Sequence, residues 1–280
     1  MDTGELLTPI FKWGGGKRQL LDEILPRIPD NITTFYEPFV GGAAVLMGLQ
    51  PKKAIINDSN PELINTYKVI KENPDKLIEL LKIHEKNNTS DYYYKIRSLD
   101  RDDIEYGKLS DVEKAARSIY MNRTCFNGLY RVNKLGQFNT PYGRYVHPLI
   151  VCEERIRNFS HYLMDNNIKI MCGDYKESLK KIRKGSFVYF DPPYMPLDDK
   201  KDSYILYTVD VFNKEKQEEL KEVCDYLNSK KIRFMLSNSN CKFIKELYHD
   251  YKIEIVKARH YVSAEGTKRK VIDEVLVTNY

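Results

Sequence analysis

Phe187-Val188-Tyr189-Phe190-Asp191-Pro192-Pro193-Tyr194 joins a short apolar run, bounded by glycine and proline, to a carboxylate and two prolines. A run of this length and composition reads as a fully buried strand. Asp191 then stands at a strand's C-terminal end, where open parallel sheets bind their ligands. Pro192 and Pro193 have fixed φ and no N–H, and the residue before a proline is held extended. The segment presents rigid carbonyls and a carboxylate, an acceptor-only floor for a group with two N–H donors such as an aromatic amine. Tyr194 offers a flat face for that ring. For these four residues alone the competing reading is a strand ending in a rigid turn with an incidental aspartate.

Two glycine turns lie upstream. Phe11-Lys12-Trp13-Gly14-Gly15-Gly16-Lys17 precedes Leu20, Leu21, Ile24 and Leu25 at helical spacing, so the turn is expected to open a helix. Its amides, with Lys17 beside them, could hold a carboxylate or phosphate. The spacing is not that of a P-loop. Thr33 to Tyr36 reads as a strand, followed by Glu37-Pro38-Phe39-Val40-Gly41-Gly42 and a small-residue helix through Ala43 to Met47. A second strand, Ala54 to Ile56, closes at Asn57-Asp58. An acidic residue in that position usually binds ribose hydroxyls. The glycines do not match Gly-x-Gly-x-x-Gly, which favours a nucleoside without phosphates over a dinucleotide. S-adenosylmethionine is such a nucleoside. The bland reading of Asp58 is an N-cap for the helix that starts at Pro61.

From Pro61 to Arg101 the pattern is helical, with further helices from Ser110 to Met121 and from Cys152 to Met164. Ile168 to Met171 forms a strand whose end carries Asp174, a third strand-end carboxylate. Asp198 to Asp210 is long enough for a lid. A helix from Lys214 to Ser229, a strand from Ile232 to Leu236, and a terminal antiparallel pair (Lys252 to Ala258, Val271 to Thr278) complete the chain. The loop joining that pair carries Arg259, Lys268, Arg269 and Lys270, an expected phosphate-contacting edge. Strands alternating with helices imply an α/β fold with a doubly wound, mostly parallel sheet. The expected division is a catalytic, cofactor-binding domain (residues 1–60 and 163–280) and a helical insertion (61–162) carrying a reading hairpin at about 125–146.

The 280 residues, 42% hydrophobic, suffice for a substantial core. Five scattered cysteines and five histidines show no ligand-like spacing, so a reduced cytosolic protein without structural zinc is expected. Met1 to Lys12 reads as neither signal peptide nor anchor, and no segment is apolar enough to span a membrane. The net charge of +5 is modest, but its distribution is not. From Lys114 to Cys152 there is no acidic residue, while Lys114, Arg117, Arg123, Arg131, Lys134 and Arg144 all fall there. This points to an electropositive, nucleic-acid-facing surface. Phe126 to Tyr145 interleaves aromatics with arginine, asparagine and turn residues. Arginine reads guanine, asparagine reads adenine, and an aromatic wedges into a stack.

Together the three motifs, in this order, resemble the DNA adenine methyltransferase (Dam) family of the alpha class, including the methyltransferases of GATC-specific restriction–modification systems. The resemblance covers nearly the whole chain. It implies that Trp13, Lys17, Asp58 and Asp191 bind S-adenosylmethionine, with Glu37, Phe39, Gly41 and Asp174 around its methionine, ribose and adenine parts. It also implies catalysis by Asp191, Pro192, Pro193 and Tyr194, and DNA contacts from Lys12, Phe126, Asn127, Leu129, Arg131 and Pro141. Double-stranded DNA is the expected partner, with single-stranded DNA and a cognate endonuclease acting on the same site as further ones. Two departures stand out: Gly14 occupies a position where the family has another small residue, and Thr140 stands where valine is common, which leaves sequence specificity open. The four-residue motif admits cytosine N4 as well as adenine N6. A non-catalytic DNA-binding regulator would be expected to have a damaged motif, and both motif and cofactor loop are intact.

Overall fold

The computed structural model describes residues 7–196, 212–259 and 271–280. The lid expected at 198–210 and the basic loop through 260–270 lie outside the described residues.

Seven strands form one sheet: β1 Phe35–Glu37, β2 Lys53–Asp58, β3 Asn167–Cys172, β4 Phe187–Phe190, β5 Arg233–Ser239, β6 Lys252–Arg259 and β7 Val271–Thr278. Their order is β3-β2-β1-β4-β5-β7-β6. β1 to β5 pair in parallel, and β7 runs antiparallel between β5 and β6. Chain order reverses beside β1, where β2 leaves on one side and β4 on the other. The ends of β1, β2 and β4 therefore converge on the crevice where such sheets bind ligands.

β4 is apolar throughout because both of its faces are covered. Phe187 and Tyr189 join a core shared with Phe35, Ile56, Met235 and Leu276. Val188 and Phe190 point the other way, among Tyr36, Phe234, Leu236, Val275 and Val277. The first of these cores continues into the helices between β2 and β3, including Tyr67, Tyr93, Tyr120 and Phe159. Helix Pro61–Glu72 packs on β2, β3 and helix Asp111–Thr124.

Helix boundaries follow local chemistry. Asn60 caps Pro61–Glu72, its side chain accepting from Leu63 N–H, with Pro61 in the first turn. Asp58 is therefore not the cap. Ser110 and Glu113 form a capping box at the start of Asp111–Thr124. The run after Lys17 is broken: a 3-10 turn (Lys17–Leu20), one α turn (Leu21–Ile24) and a second 3-10 turn (Leu25–Arg27) replace the single helix expected. Gly16 supplies no capping side chain and Pro26 ends the hydrogen-bond ladder. β5 runs three residues beyond Leu236, through buried Ser237, Asn238 and Ser239. Polar residues are tolerated there because each finds a partner, Ser237 in the Tyr189 hydroxyl at 2.6 Å and the other two as described below. No helix among the described residues is long and apolar enough to cross a membrane.

Candidate active site

β4 delivers Asp191 to the crevice, its side chain 21% exposed. Lys17, 4% exposed, places Nζ 2.9 Å from Asp191 Oδ1 and also donates to the Gly15 carbonyl. The glycine turn thus brings its cation to the carboxylate at the end of β4. Lys17 Nζ also lies 4.6 Å from the centre of the Tyr194 ring. Burial pushes the Asp191 carboxyl up to about 6, against the attraction of Lys17, and nearby Glu274 pushes in the same direction.

The acceptor floor is partly engaged. The Pro193 carbonyl accepts from buried Gln217 of helix Lys214–Ser229 at 3.0 Å, which leaves it one lone pair. Gln217 accepts in turn from Asn238 Nδ2, and Asn238 Oδ1 receives Met195 N–H at 3.1 Å. Ser239 Oγ donates to the Met195 carbonyl. This buried chain accounts for the polar end of β5 and clamps the segment on both sides of Tyr194. Pro192 carries the carbonyl next after Asp191 in the chain.

Glu37 closes β1, is 2% exposed, and accepts Leu46 N–H at 3.1 Å. Burial, and then neighbouring Asp191, holds its carboxyl well above the usual range. At the end of β2, half-buried Asp58 accepts Gly41 N–H at 3.0 Å and Asn60 N–H at 2.9 Å. Burial raises its carboxyl, partly offset by those N–H donors. Gly41 has φ +43°, and a Cβ there would come within 2.8 Å of the Trp13 ring. Its carbonyl accepts from Tyr67 Oη. Only glycine meets both demands. Asn57 ties the loops after β1 and β3 together by donating to the Pro38 and Gly173 carbonyls, and its buried Oδ1 has no hydrogen-bond partner. Phe39 packs against Tyr175 (4.9 Å between ring centres) and edge-on to Phe212 (5.7 Å). Asp174 is exposed at the end of β3 and caps helix Tyr175–Leu179 through Lys176 N–H.

Near these groups the hairpin leaves helix Asp111–Thr124 as a narrow ribbon with only two isolated bridges, Cys125↔Tyr142 and Val132↔Phe138. Phe126 N–H bonds the Pro141 carbonyl, and Asn139 N–H bonds that of Arg131. Lys12 is held at its base, exchanging backbone hydrogen bonds with the Asn122 amide, its stem pressed on Gly128 and its Nζ 4.9 Å above the Tyr145 ring. Phe126, Asn127, Arg131 and Pro141 are exposed and Leu129 is half-buried. Arg131 Nε donates to Asn139 Oδ1 at 2.7 Å. Asn127 adopts a left-handed conformation (φ +55°), which asparagine tolerates.

The electropositive surface is narrower than its sequence implies. Arg117 and Arg123 are buried, and Arg117 pairs with Asp100 at 2.8 Å. Arg131, Lys134 and Arg144 are exposed. Thr140 is buried, and its hydroxyl donates to the Leu129 carbonyl, so it faces into the hairpin instead of toward a base. The residues that sequence reasoning missed are Gln217, Asn238, Ser239 and Glu274. Their one signal is polarity inside otherwise apolar strand or helix faces.

A seven-stranded sheet of this order, with a strand-end acidic crevice and an acceptor motif, defines an enzyme with the S-adenosylmethionine-dependent methyltransferase fold. Residues 13–262 match the D12 class N6 adenine-specific DNA methyltransferases, and the chain belongs to that family. It is 48% identical to Type II methyltransferase M1.LlaDCHI of Lactococcus lactis subsp. cremoris, over 98% of this chain and 96% of that protein. It is 41% identical to Type II methyltransferase M.MjaIII of Methanocaldococcus jannaschii, over 97% and 99%. To the DNA adenine methylase of Escherichia coli (strain K12) it is 32% identical, over 95% and 93%. Family and fold together imply use of S-adenosylmethionine.

Proposed function

We propose that the chain methylates N6 of an adenine flipped out of duplex DNA, within GATC, and that the crevice at the ends of β1, β2 and β4 holds S-adenosylmethionine. The observation that carries this is Asp191 at the end of β4, ion-paired to Lys17, whose Nζ also lies 4.6 Å from the centre of the Tyr194 ring.

The crevice suits the cofactor's chemistry. Asp58 and Asp191 outnumber Lys17, an excess of acid that favours a cationic sulfonium and an α-ammonium group. Asp58 uses one lone pair on each oxygen for Gly41 and Asn60, which leaves acceptor capacity for ribose hydroxyls. Trp13, Phe39 and Gly41 supply walls against which a nucleoside packs, and Asp174 lies at the rim. When bound, S-adenosylmethionine supplies an electrophilic methyl group.

Adenine N6 is paired in the duplex, so the base must leave the stack to reach Asp191. Tyr194 stacks on the flipped ring. The N6 lone pair is delocalised into that ring, and hydrogen bonds from its two protons to the Asp191 carboxylate and Pro192 carbonyl favour a pyramidal nitrogen. Holding both reactants in line then suffices, with no covalent enzyme intermediate. After transfer the nitrogen is cationic, and its surplus proton goes to Asp191 or to water. Lys12, Phe126, Asn127, Leu129, Arg131 and Pro141 line the hairpin that reads the site. GATC is supported by the likeness of that hairpin to the GATC-specific type, and Thr140 does not bear on it, being turned inward. We read residues 61–162 as the insertion that carries this hairpin. The Type II names of two relatives favour a restriction–modification setting.

Tritium transfer from labelled S-adenosylmethionine to oligonucleotides with and without GATC, followed by nucleoside analysis, tests the proposal. N6-methyladenine confined to GATC is expected. N4-methylcytosine, or retention of near-normal methylation by Asp191→Ala, would sink it.

A further inference from the structure

We propose that Glu274, on β7, is a positioning residue for methyl transfer: it takes the Tyr194 hydroxyl and fixes the ring on which the target base stacks. This rests on the role given above to Asp191 and Tyr194.

Glu274 is 2% exposed in the middle of a strand whose neighbours Val275, Leu276 and Val277 are fully buried and apolar. Burying a carboxylate is costly unless it is hydrogen-bonded. Strand packing would be met by any apolar residue, so the acid at this position calls for a specific partner. That partner is in place: Tyr194 Oη donates to Glu274 Oε2, across 80 residues of sequence. A hydrogen bond to a charged acceptor is stronger and shorter than a neutral one.

The sheet register explains why Glu274 reaches the site. β7 pairs antiparallel with β5, which sets Glu274 directly across from Ser239. Ser239 already anchors the motif by donating to the Met195 carbonyl. Adjacent positions on two strands thus hold adjacent parts of one segment, Ser239 the backbone after Tyr194 and Glu274 its side chain. With the hydroxyl tied and Lys17 Nζ 4.6 Å over the ring centre, the ring is held at its tip and against one face. A base stacked on the opposite face is then placed relative to Asp191 within the tolerance that transfer demands, where a 1 Å error costs rate steeply. A residue acting in this way changes kcat without changing cofactor affinity.

The test compares wild type, Glu274→Ala, Glu274→Gln, Tyr194→Phe and the double variant Tyr194→Phe/Glu274→Ala in steady-state methylation of a GATC duplex, with Asp191→Ala as control. Glu274→Ala and Tyr194→Phe should each lower kcat about ten-fold, the worth of one charge-assisted hydrogen bond, with KM for S-adenosylmethionine within about two-fold of wild type. Glu274→Gln, which keeps an acceptor oxygen, should recover most of the rate. The double variant should be no slower than Tyr194→Phe, because loss of the hydroxyl, which also bonds Asp191, already removes the bond to Glu274. Wild-type kcat in Glu274→Ala, or losses that multiply in the double variant, overturns the inference. Should Glu274→Ala fail to fold, Tyr194→Phe and Glu274→Gln decide: wild-type kcat in the first, or a Glu274→Gln rate as low as that of Tyr194→Phe, overturns it. An active Asp191→Ala would instead overturn the reading of the site. An inactive Asp191→Ala beside a fully active Glu274→Ala removes Glu274 alone.

Discussion

Replacing Asp191 with asparagine should abolish methylation while making the protein more stable, by an amount set by pH. The Asp191 carboxyl moves from an ordinary 3.8 to about 6 in the folded protein, so the fold favours the protonated form. The sign follows from linkage. A carboxyl whose folded value is raised lowers stability above that value, and the penalty disappears as pH falls below the unfolded value. At pH 8 the penalty is about 3 kcal/mol, from about 1.36 kcal/mol per tenfold change in proton affinity. By the same relation it falls to roughly half of that at pH 5 and mostly vanishes by pH 4. The value near 6 already includes the attraction of Lys17 and the repulsion of Glu274, so neither is counted again. Asp191→Asn resembles the neutral acid in size and hydrogen bonding and should escape the penalty. A gain of this size raises the melting temperature by about 6 to 12 °C at pH 8 in a chain of this length. Paired thermal melts of wild type and variant between pH 5 and pH 8, in one buffer series without cofactor, measure it. A variant that melts no higher than wild type at pH 8, or whose advantage does not shrink toward pH 5, refutes the reasoning.

Two further substitutions probe the cofactor loop and the hairpin. Gly41→Ala puts a Cβ at φ +43° and within 2.8 Å of the Trp13 ring. The left-handed backbone alone costs about 1–2 kcal/mol. A lower melting temperature and a KM for S-adenosylmethionine raised about ten-fold or more are expected from melts and initial rates, and an unchanged KM would place the cofactor elsewhere. Arg131→Ala removes an exposed guanidinium from the hairpin. Discrimination between GATC and single-base variants should fall by about 1–3 kcal/mol in competition assays. Unchanged discrimination would take Arg131 out of base reading.

The sequence alone determined the class of fold, because its signals are local. Glycine turns, the proline pair after Asp191, and the short apolar run of β4 each act within a few residues of the chain, and their order identifies the doubly wound sheet. It also marked Glu37, Gly41, Asp58 and Asp191 as strand-end or loop residues, which they are. What tertiary structure decided are relations between distant segments. Lys17 neutralises Asp191, Gln217 donates to the Pro193 carbonyl, and Arg117 and Arg123 leave the surface that an acid-free stretch implies. Thr140, whose departure from valine leaves specificity open in the sequence, turns its hydroxyl to the Leu129 carbonyl. Glu274 shows the reason most plainly. Its neighbours in sequence, exposed Asp273 before it and apolar Val275 to Val277 after it, describe an ordinary strand. Its partner Tyr194 is set only when β7 is inserted antiparallel beside β5, in a register that no local pattern specifies.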